Sequence, residues 1–217
     1  DDVEIPKIVN GIMMGSFLNS GQVCASASRI YVHENIYESV KTELSTVIQS
    51  LTIGSGLDET TQIHPVTSLK QQQSILAHIQ KAVEDGAHIL SADLSKKTKG
   101  YFVPPTIVTD IKPGSQILKQ EVFGPVITLV PFKDHNEAIA LANDSEFGLA
   151  ASLWTNNLSL AMNMIPQIKA GTVWVNTHIP LDPAMPFGGV KQSGIGREFG
   201  KMSVESFTET KTICIAH

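Results

Sequence analysis

The sequence predicts an α/β protein, with a largely parallel sheet flanked by helices and a lone strand at its C-terminal end. Three observations predict it. Stretches with apolar residues at helical spacing alternate with short β-prone runs along the whole chain, the rhythm of βαβ units. Hydrophobic residues make up 42% of the 217 positions and charged residues 17%, enough to bury a sizeable core. No internal repeat and no low-complexity linker divides the chain. The expected organisation is one domain over residues 1–198 and an arm over 199–217, because the last stretch follows a long loop and ends in a single β-prone run.

The first helix is predicted over 3–18, where Ile8, Ile12, Met13 and Phe17 fall on one stripe. Residues 28–33 read as a strand. The next helix, 35–51, carries Ile36, Val40, Leu44, Val47, Ile48 and Leu51 on one face and stops at Gly54-Ser55-Gly56. A third helix covers 67–85, with Thr67 as its N-cap and Gly86 just past its end. A strand follows near His88–Leu90. Pro104-Pro105 then interrupts a β-rich stretch, which predicts a broken or edge strand. Residues 126–132 read as a buried strand. Asp134 opens a helix, with Glu137 three positions on as in a capping box. A strand at 150–154 leads to a helix at 157–165, which Pro166 limits. Another strand covers 171–176. A loop rich in Pro and Gly runs from 177 to 196, before a short helix and the final β-prone run at 208–216.

Composition narrows the function classes. The net charge is −5 and the isoelectric point about 5.8. No dense Lys/Arg cluster occurs, so nucleic acid and anionic membranes are not expected partners. No apolar stretch approaches the roughly 18 residues that span a bilayer. No signal-peptide pattern opens the chain, and a cytoplasmic location is expected. Asp1-Asp2 stands where a Met would start a gene product, so a piece of a longer protein is expected. Cys24 and Cys214 read as reduced thiols. The histidines form no HxH or HxxxH pair and no CxxC occurs, so no metal site is expected. Gly194, Gly196 and Gly200 miss the GxGxxG spacing by one position. Walker A and GxSxG motifs are absent as well.

Three stretches carry candidate chemistry. In GQVCASAS, 21–28, Cys24 lies in a loop between a helix and a strand, and its small neighbours leave room for a substrate beside the sulfur. Free cysteines are more often packing residues, so on these features alone packing is the commoner reading. In KQEVFGPV, 119–126, Glu121 stands two before Phe123, a pairing suited to a hydroxylated ligand that also stacks; on the pattern alone a solvated Glu and a core Phe is the commoner reading. In 170–200, a strand ends at Asn176 and a long loop follows; loops of that length are often functional, and ordinary connection is the alternative.

Taken together, GQVC at 21–24, EVFGPV at 121–126 and AGTVWVN…PFGGVKQSGIGREFG at 170–200 resemble the aldehyde dehydrogenase superfamily, in order and in separation. The likeness covers essentially the whole chain. Ser26 departs from the family's usual Ala or Gly, and His64 stands where many members have Gly before the Pro. The resemblance implies a catalytic domain with a terminal oligomerisation strand. It also implies that the Rossmann-type cofactor domain, a water-activating glutamate and an oxyanion asparagine lie outside this sequence. Cys24 would attack an aldehyde, and NAD or NADP would accept hydride. Glu121, Phe123 and, on a weaker motif, Gln71 would meet the cofactor. Phe187 would line the aldehyde tunnel, and His178, Ile179 and Leu181 fall where substrate size is set. Asn176 would order its loop. Arg197 and Glu209 would form a salt bridge tying down the arm. The 176–194 stretch most resembles phenylacetaldehyde dehydrogenases, which implies an aromatic or medium-chain aldehyde. The resemblance also implies a homo-oligomer, dimer or tetramer, built through the strand at 211–216. The alternatives are a fragment inactive as a dehydrogenase, with at most weak thiol esterase activity, and an oligomerisation module.

Overall fold

The computed structural model describes residues 1–94 and 99–217. Helix α1 (Ile5–Phe17) begins with Pro6 in its first turn, where the missing N–H costs nothing. It buries Val9, Ile12 and Phe17; of the stripe read from the sequence, Ile12 and Phe17 are buried, and Ile8 and Met13 are half-buried. Strand β1 (Arg29–His33) leads into α2 (Glu34–Ser50), which buries Tyr37, Val40, Leu44 and Ile48. The His33 imidazole caps α2 by accepting from the Asn35 N–H.

Helix α3 (Leu69–Glu84) is capped by Ser68 rather than Thr67. The Ser68 hydroxyl accepts from the Gln71 N–H at 3.1 Å, a bond that the extended backbone of Ser68 permits. Gly86 sits just past the helix with φ +95°. There the Gly86 N–H reaches Val83 O and the Ala87 N–H reaches Ala82 O, the paired bonds of a Schellman end.

Strands β2 (His88–Ser91), β3 (Thr106–Thr109) and β4 (Val126–Phe132) complete one sheet in the order β1-β4-β3-β2. β1–β4 and β4–β3 pair in parallel, β3–β2 antiparallel. Contrary to expectation, Pro104-Pro105 neither breaks β3 nor puts it at an edge. The prolines precede its first residue, and Thr106 donates its N–H to Pro125 O at 2.9 Å, so no ladder donor is lost. Successive residues of the two central strands face opposite sides. Ile107, Ile127 and Leu129 pack with α1 and α2. Val108 and Val126 pack with Ile75 and Ala82 of α3. Leu44, Ile48, Ile107 and Ile127 are essentially fully buried, each contributing on the order of 2 kcal/mol.

Helix α4 (His135–Asn143) starts at Asp134, whose carboxylate accepts from the Asn136 and Glu137 N–H groups. Glu137 reaches back to the Lys133 N–H, one residue before the cap itself. Then come β5 (Phe147–Gly148), β6 (Ala150–Leu153), α5 (Leu158–Met164) and β7 (Thr172–Val175). β6 and β7 form a separate parallel pair. The stretch expected as one loop, 177–196, contains β8 (Val190–Lys191), antiparallel to β5, and α6 (Gly200–Ser206) follows it. An apolar cleft separates the outer edges of β1 and β6, with Ile30, Val32, Ala151 and Leu153 on its walls.

The terminal run is not a strand in this chain. Residues 208–217 are exposed and form no helix or ladder. Its β propensity goes unused in the single chain. Among the described residues no helix is long and apolar enough to cross a membrane.

Candidate active site

Helix α1 delivers the chain to Cys24 through an abrupt reversal. Asn19, Ser20 and Gly21 take φ values of 51°, 55° and 72°, three consecutive left-handed residues. Ser20 is fully buried. Its hydroxyl donates to His64 O at 2.8 Å and accepts from the His64 N–H at 3.0 Å. His64 thus serves this contact through backbone alone. The Gln22 side-chain oxygen accepts from the Thr67 N–H at 2.9 Å. Val23 to Ser26 form a turn closed by the Ser26 N–H on Val23 O at 2.9 Å, with Cys24 and Ala25 at its centre. Beyond the turn, Ala27 donates its N–H to Gly15 O at 2.9 Å. The Ser16 hydroxyl donates to Ala27 O at 2.7 Å, and the Ser26 hydroxyl to Ser16 O at 3.2 Å. Ser26, the departure from the usual small apolar residue, is therefore tied to the end of α1. Cys24 itself is exposed and carries a free thiol.

The second motif lies against this turn backbone to backbone. A Cβ at Gly21 would come 2.1 Å from Gly124 O, and one at Gly124 would come 2.4 Å from Cδ1 of Ile75 in α3. At Gly21 the obstacle is backbone, so close approach requires glycine there; at Gly124 it is the Ile75 side chain. Val122 is buried between exposed Glu121 and Phe123. Phe123 holds φ at 53°, a strained conformation that a surrounding network must maintain. Gln71 supplies part of that network: its Nε2 donates to Val122 O at 3.2 Å and Phe123 O at 3.0 Å.

Cys24, Glu121 and Phe123 line one cleft of about 320 Å³, together with Lys119, Phe147 and Leu149. The structure thus brings the expected nucleophile and two of the three expected cofactor residues together. Gln71 does not line this cleft; its amide is occupied by the carbonyls behind Glu121 and Phe123. Lys119 was not singled out by the sequence. It forms an ion pair with Asp144 and donates to Asp144 O at 3.2 Å. The hydrogen bond from Lys119 holds the Asp144 carboxyl below its usual range.

The expected substrate residues are split. His178 and Ile179 line a second, open cleft against Lys7, Met14 and Leu18, at the α1 side of the cysteine turn. Leu181 and Phe187 line neither cleft. The reason is backbone pairing. Phe187 and Glu198 exchange N–H···O bonds of 2.8 Å in both directions and hold the loop in a closed bridge. Asn176, at φ 55°, accepts from the Thr155 N–H and donates to Thr155 O, fastening the end of β7 to the end of β6.

The expected Arg197–Glu209 salt bridge is not among the ion pairs of the described residues. The Arg197 guanidinium donates instead to Gly189 O and Gly196 O, both at 2.7 Å, and Glu209 lies on the exposed tail. The guanidinium therefore stabilises the 187–198 bridge rather than the arm. The small polar residues that build the turn, Ser16, Ser20 and Gln22, were also missed from sequence. Their only signal was a helix that ends in Ser and Asn with no capping Lys or Arg. No cluster of metal-binding side chains occurs among the described residues.

The sequence profile of the aldehyde dehydrogenase family matches residues 1–213. A phenylacetaldehyde dehydrogenase of Pseudomonas fluorescens is 43% identical over 218 aligned residues, covering 100% of this chain and 43% of that protein. A betaine aldehyde dehydrogenase of Brucella anthropi is 39% identical, covering 99% of this chain and 45% of that protein. Among solved structures, the NAD+ complex of a Bacillus cereus aldehyde dehydrogenase superposes with a TM-score of 0.93 at 39% identity, over 96% of this chain and 43% of that one. The turn that presents a free cysteine beside an EVFGP segment therefore has a family: this chain belongs to the aldehyde dehydrogenases. It spans less than half the length of the curated relatives it matches.

Proposed function

We propose that Cys24 is the nucleophile of an NAD(P)+-dependent aldehyde oxidation, of which this chain provides the thiol-bearing half. The observation that carries the reading is the shared cleft: an exposed thiol on a turn anchored from several sides, opposite Glu121 and Phe123. The Cys24 thiolate attacks the aldehyde carbon and the backbone N–H of Cys24 supplies one donor to the oxyanion. The products are a thiohemiacetal, then a thioester, whose hydrolysis frees the carboxylic acid. NAD(P)+, when bound, supplies the hydride acceptor that this oxidation requires.

The residues present fit one wall of such a cofactor site. An exposed carboxylate at Glu121 suits ribose hydroxyls, and the Phe123 ring, 36% exposed, offers an apolar face. We propose further that the chain by itself lacks dehydrogenase activity and acts at most as a slow thiol esterase. An aromatic aldehyde such as phenylacetaldehyde is the proposed substrate, on the similarity to the Pseudomonas enzyme. The exposed run 211–216 is proposed to pair between subunits of a homo-oligomer, and two unpaired thiols suit the cytoplasm.

Hydrolysis of an activated phenyl ester tests the nucleophile. Cys24→Ser is expected to lower the rate at least about 100-fold, since a hydroxyl without an adjacent base is a far weaker nucleophile. An unchanged rate rejects Cys24. Titration with NAD+ is expected to show no binding in the micromolar range; such binding would overturn the half-site reading.

A further inference from the structure

We propose that His178 is a positioning residue for the nucleophile, holding the Cys24 turn in place through the carbonyl of Ala25. The proposal rests on the reading of Cys24 as the nucleophile and goes beyond it. His178 Nε2 lies 2.8 Å from Ala25 O. A carbonyl only accepts, so Nε2 carries the proton and the neutral ring leaves Nδ1 as a lone pair. That Nδ1 is buried and has no hydrogen-bond partner. Burial lowers the pKa of the ring, the Ala25 contact opposing it, so the imidazole stays a neutral one-proton donor at neutral pH.

The ring is placed for this bond by its own surroundings. Trp174 meets it edge to face, with centroids 4.9 Å apart. The Trp174 indole N–H is in turn fixed on Pro180 O at 3.1 Å, on the far side of His178 in sequence. On α1 the chain leaves a gap where the ring sits: a Cβ at Gly15 would come 2.7 Å from Cδ2 of His178.

The bond matters because of which peptide it holds. Ala25 follows the cysteine in a two-residue turn centre. Helix α1 fixes Ser26 and Ala27 from one side, through Gly15 O, Ser16 O and the Ser16 hydroxyl. None of those bonds reaches Ala25. His178, arriving from the end of β7, is the side chain that fixes that peptide, and with it the direction in which the Cys24 side chain leaves the turn. A nucleophile displaced by about 1 Å loses on the order of 100-fold in rate, so a lost anchor appears in kcat rather than in KM.

The test uses ester hydrolysis by the whole chain. His178→Leu, similar in bulk but without a donor, is expected to lower kcat about tenfold with KM within about twofold, whereas His178→Gln, whose amide can donate to Ala25 O, restores kcat to within about threefold of wild type. If circular dichroism shows the Leu variant unfolded, Gly15→Ala replaces it: the added methyl displaces the ring from α1 and must reproduce the loss of kcat. A Leu variant with unchanged kcat, or a loss that Gln does not rescue, overturns the proposal. Cys24→Ser run alongside separates the two readings. If it leaves hydrolysis intact, the nucleophile assignment has failed; if it abolishes hydrolysis while His178→Leu does not slow it, only the positioning role has failed.

Discussion

Each of the two cysteines lies in a short non-helical stretch, and the structure treats the two stretches oppositely. Residues 20–27 are bound on several sides, by His64, Thr67, Gly15, Ser16 and His178. Residues 208–217 are exposed throughout, and Cys214 sits among Ile213 and Ile215 at 74% and 75% exposure. The difference teaches that the position of a thiol is made by polar side chains and bare backbone around it, not by apolar content. The arm carries the larger apolar side chains, Ile213 and Ile215, yet it is the unplaced one.

The largest expected effect breaks the ordered side of that comparison. At Gly21 two requirements coincide: φ is +72°, and a Cβ would stand 2.1 Å from Gly124 O. The obstacle is backbone, which cannot rotate away like a side chain. Gly21→Ala is therefore expected to destabilise the chain by about 3 kcal/mol or more, from left-handed strain and forced separation of the two motifs. Urea unfolding measures it, and ester hydrolysis should fall in parallel. A loss under about 1 kcal/mol would show that the two motifs are not locked together as the geometry says.

What the sequence disclosed follows the same division. Helices α1, α2 and α4 and the buried strand β4 were legible because apolar periodicity and caps are local signals. The order β1-β4-β3-β2 was not, since register between distant strands is a tertiary fact. Cys24, Glu121 and Phe123 were found by motif, and they do meet in one cleft. The motif points Gln71 to the ligand, whereas its amide faces protein carbonyls: a side chain in the first turn of a helix gives no hint of which way it points. The resemblance points Arg197 to the arm, whereas the nearer carbonyls of Gly189 and Gly196 satisfy it. Pro104-Pro105 reads as a disruption because composition cannot tell a proline inside a strand from one just before it.

A smaller effect sharpens the comparison from behind the cleft. Gln71→Leu keeps the bulk of the side chain and removes both bonds to the carbonyls of Val122 and Phe123. About 1–2 kcal/mol of stability should be lost, because a partly buried carbonyl without a donor keeps its desolvation cost. The strained Phe123 should then relax. Its neighbourhood reports this directly: amide exchange at residues 121–124 should quicken, while that of β4 beyond Thr128 stays slow. If exchange is unchanged, Gln71 does not hold the wall, and the ligand-facing reading regains its claim.

The smallest effect belongs to the arm. Deleting residues 208–217 removes Ile213 and Ile215, which as exposed side chains contribute no burial in the single chain. Unfolding free energy at low concentration should change by less than about 0.5 kcal/mol, the range of surface changes away from any structural feature. Association should respond differently. An unpaired β-prone segment with exposed isoleucines is a template for pairing with another chain, so light scattering of the intact chain should show self-association that the truncated chain lacks. A truncation that costs more than about 1 kcal/mol in dilute solution would mean that the arm packs on its own domain, and the contrast between the two cysteine-bearing stretches would then collapse into a difference of degree.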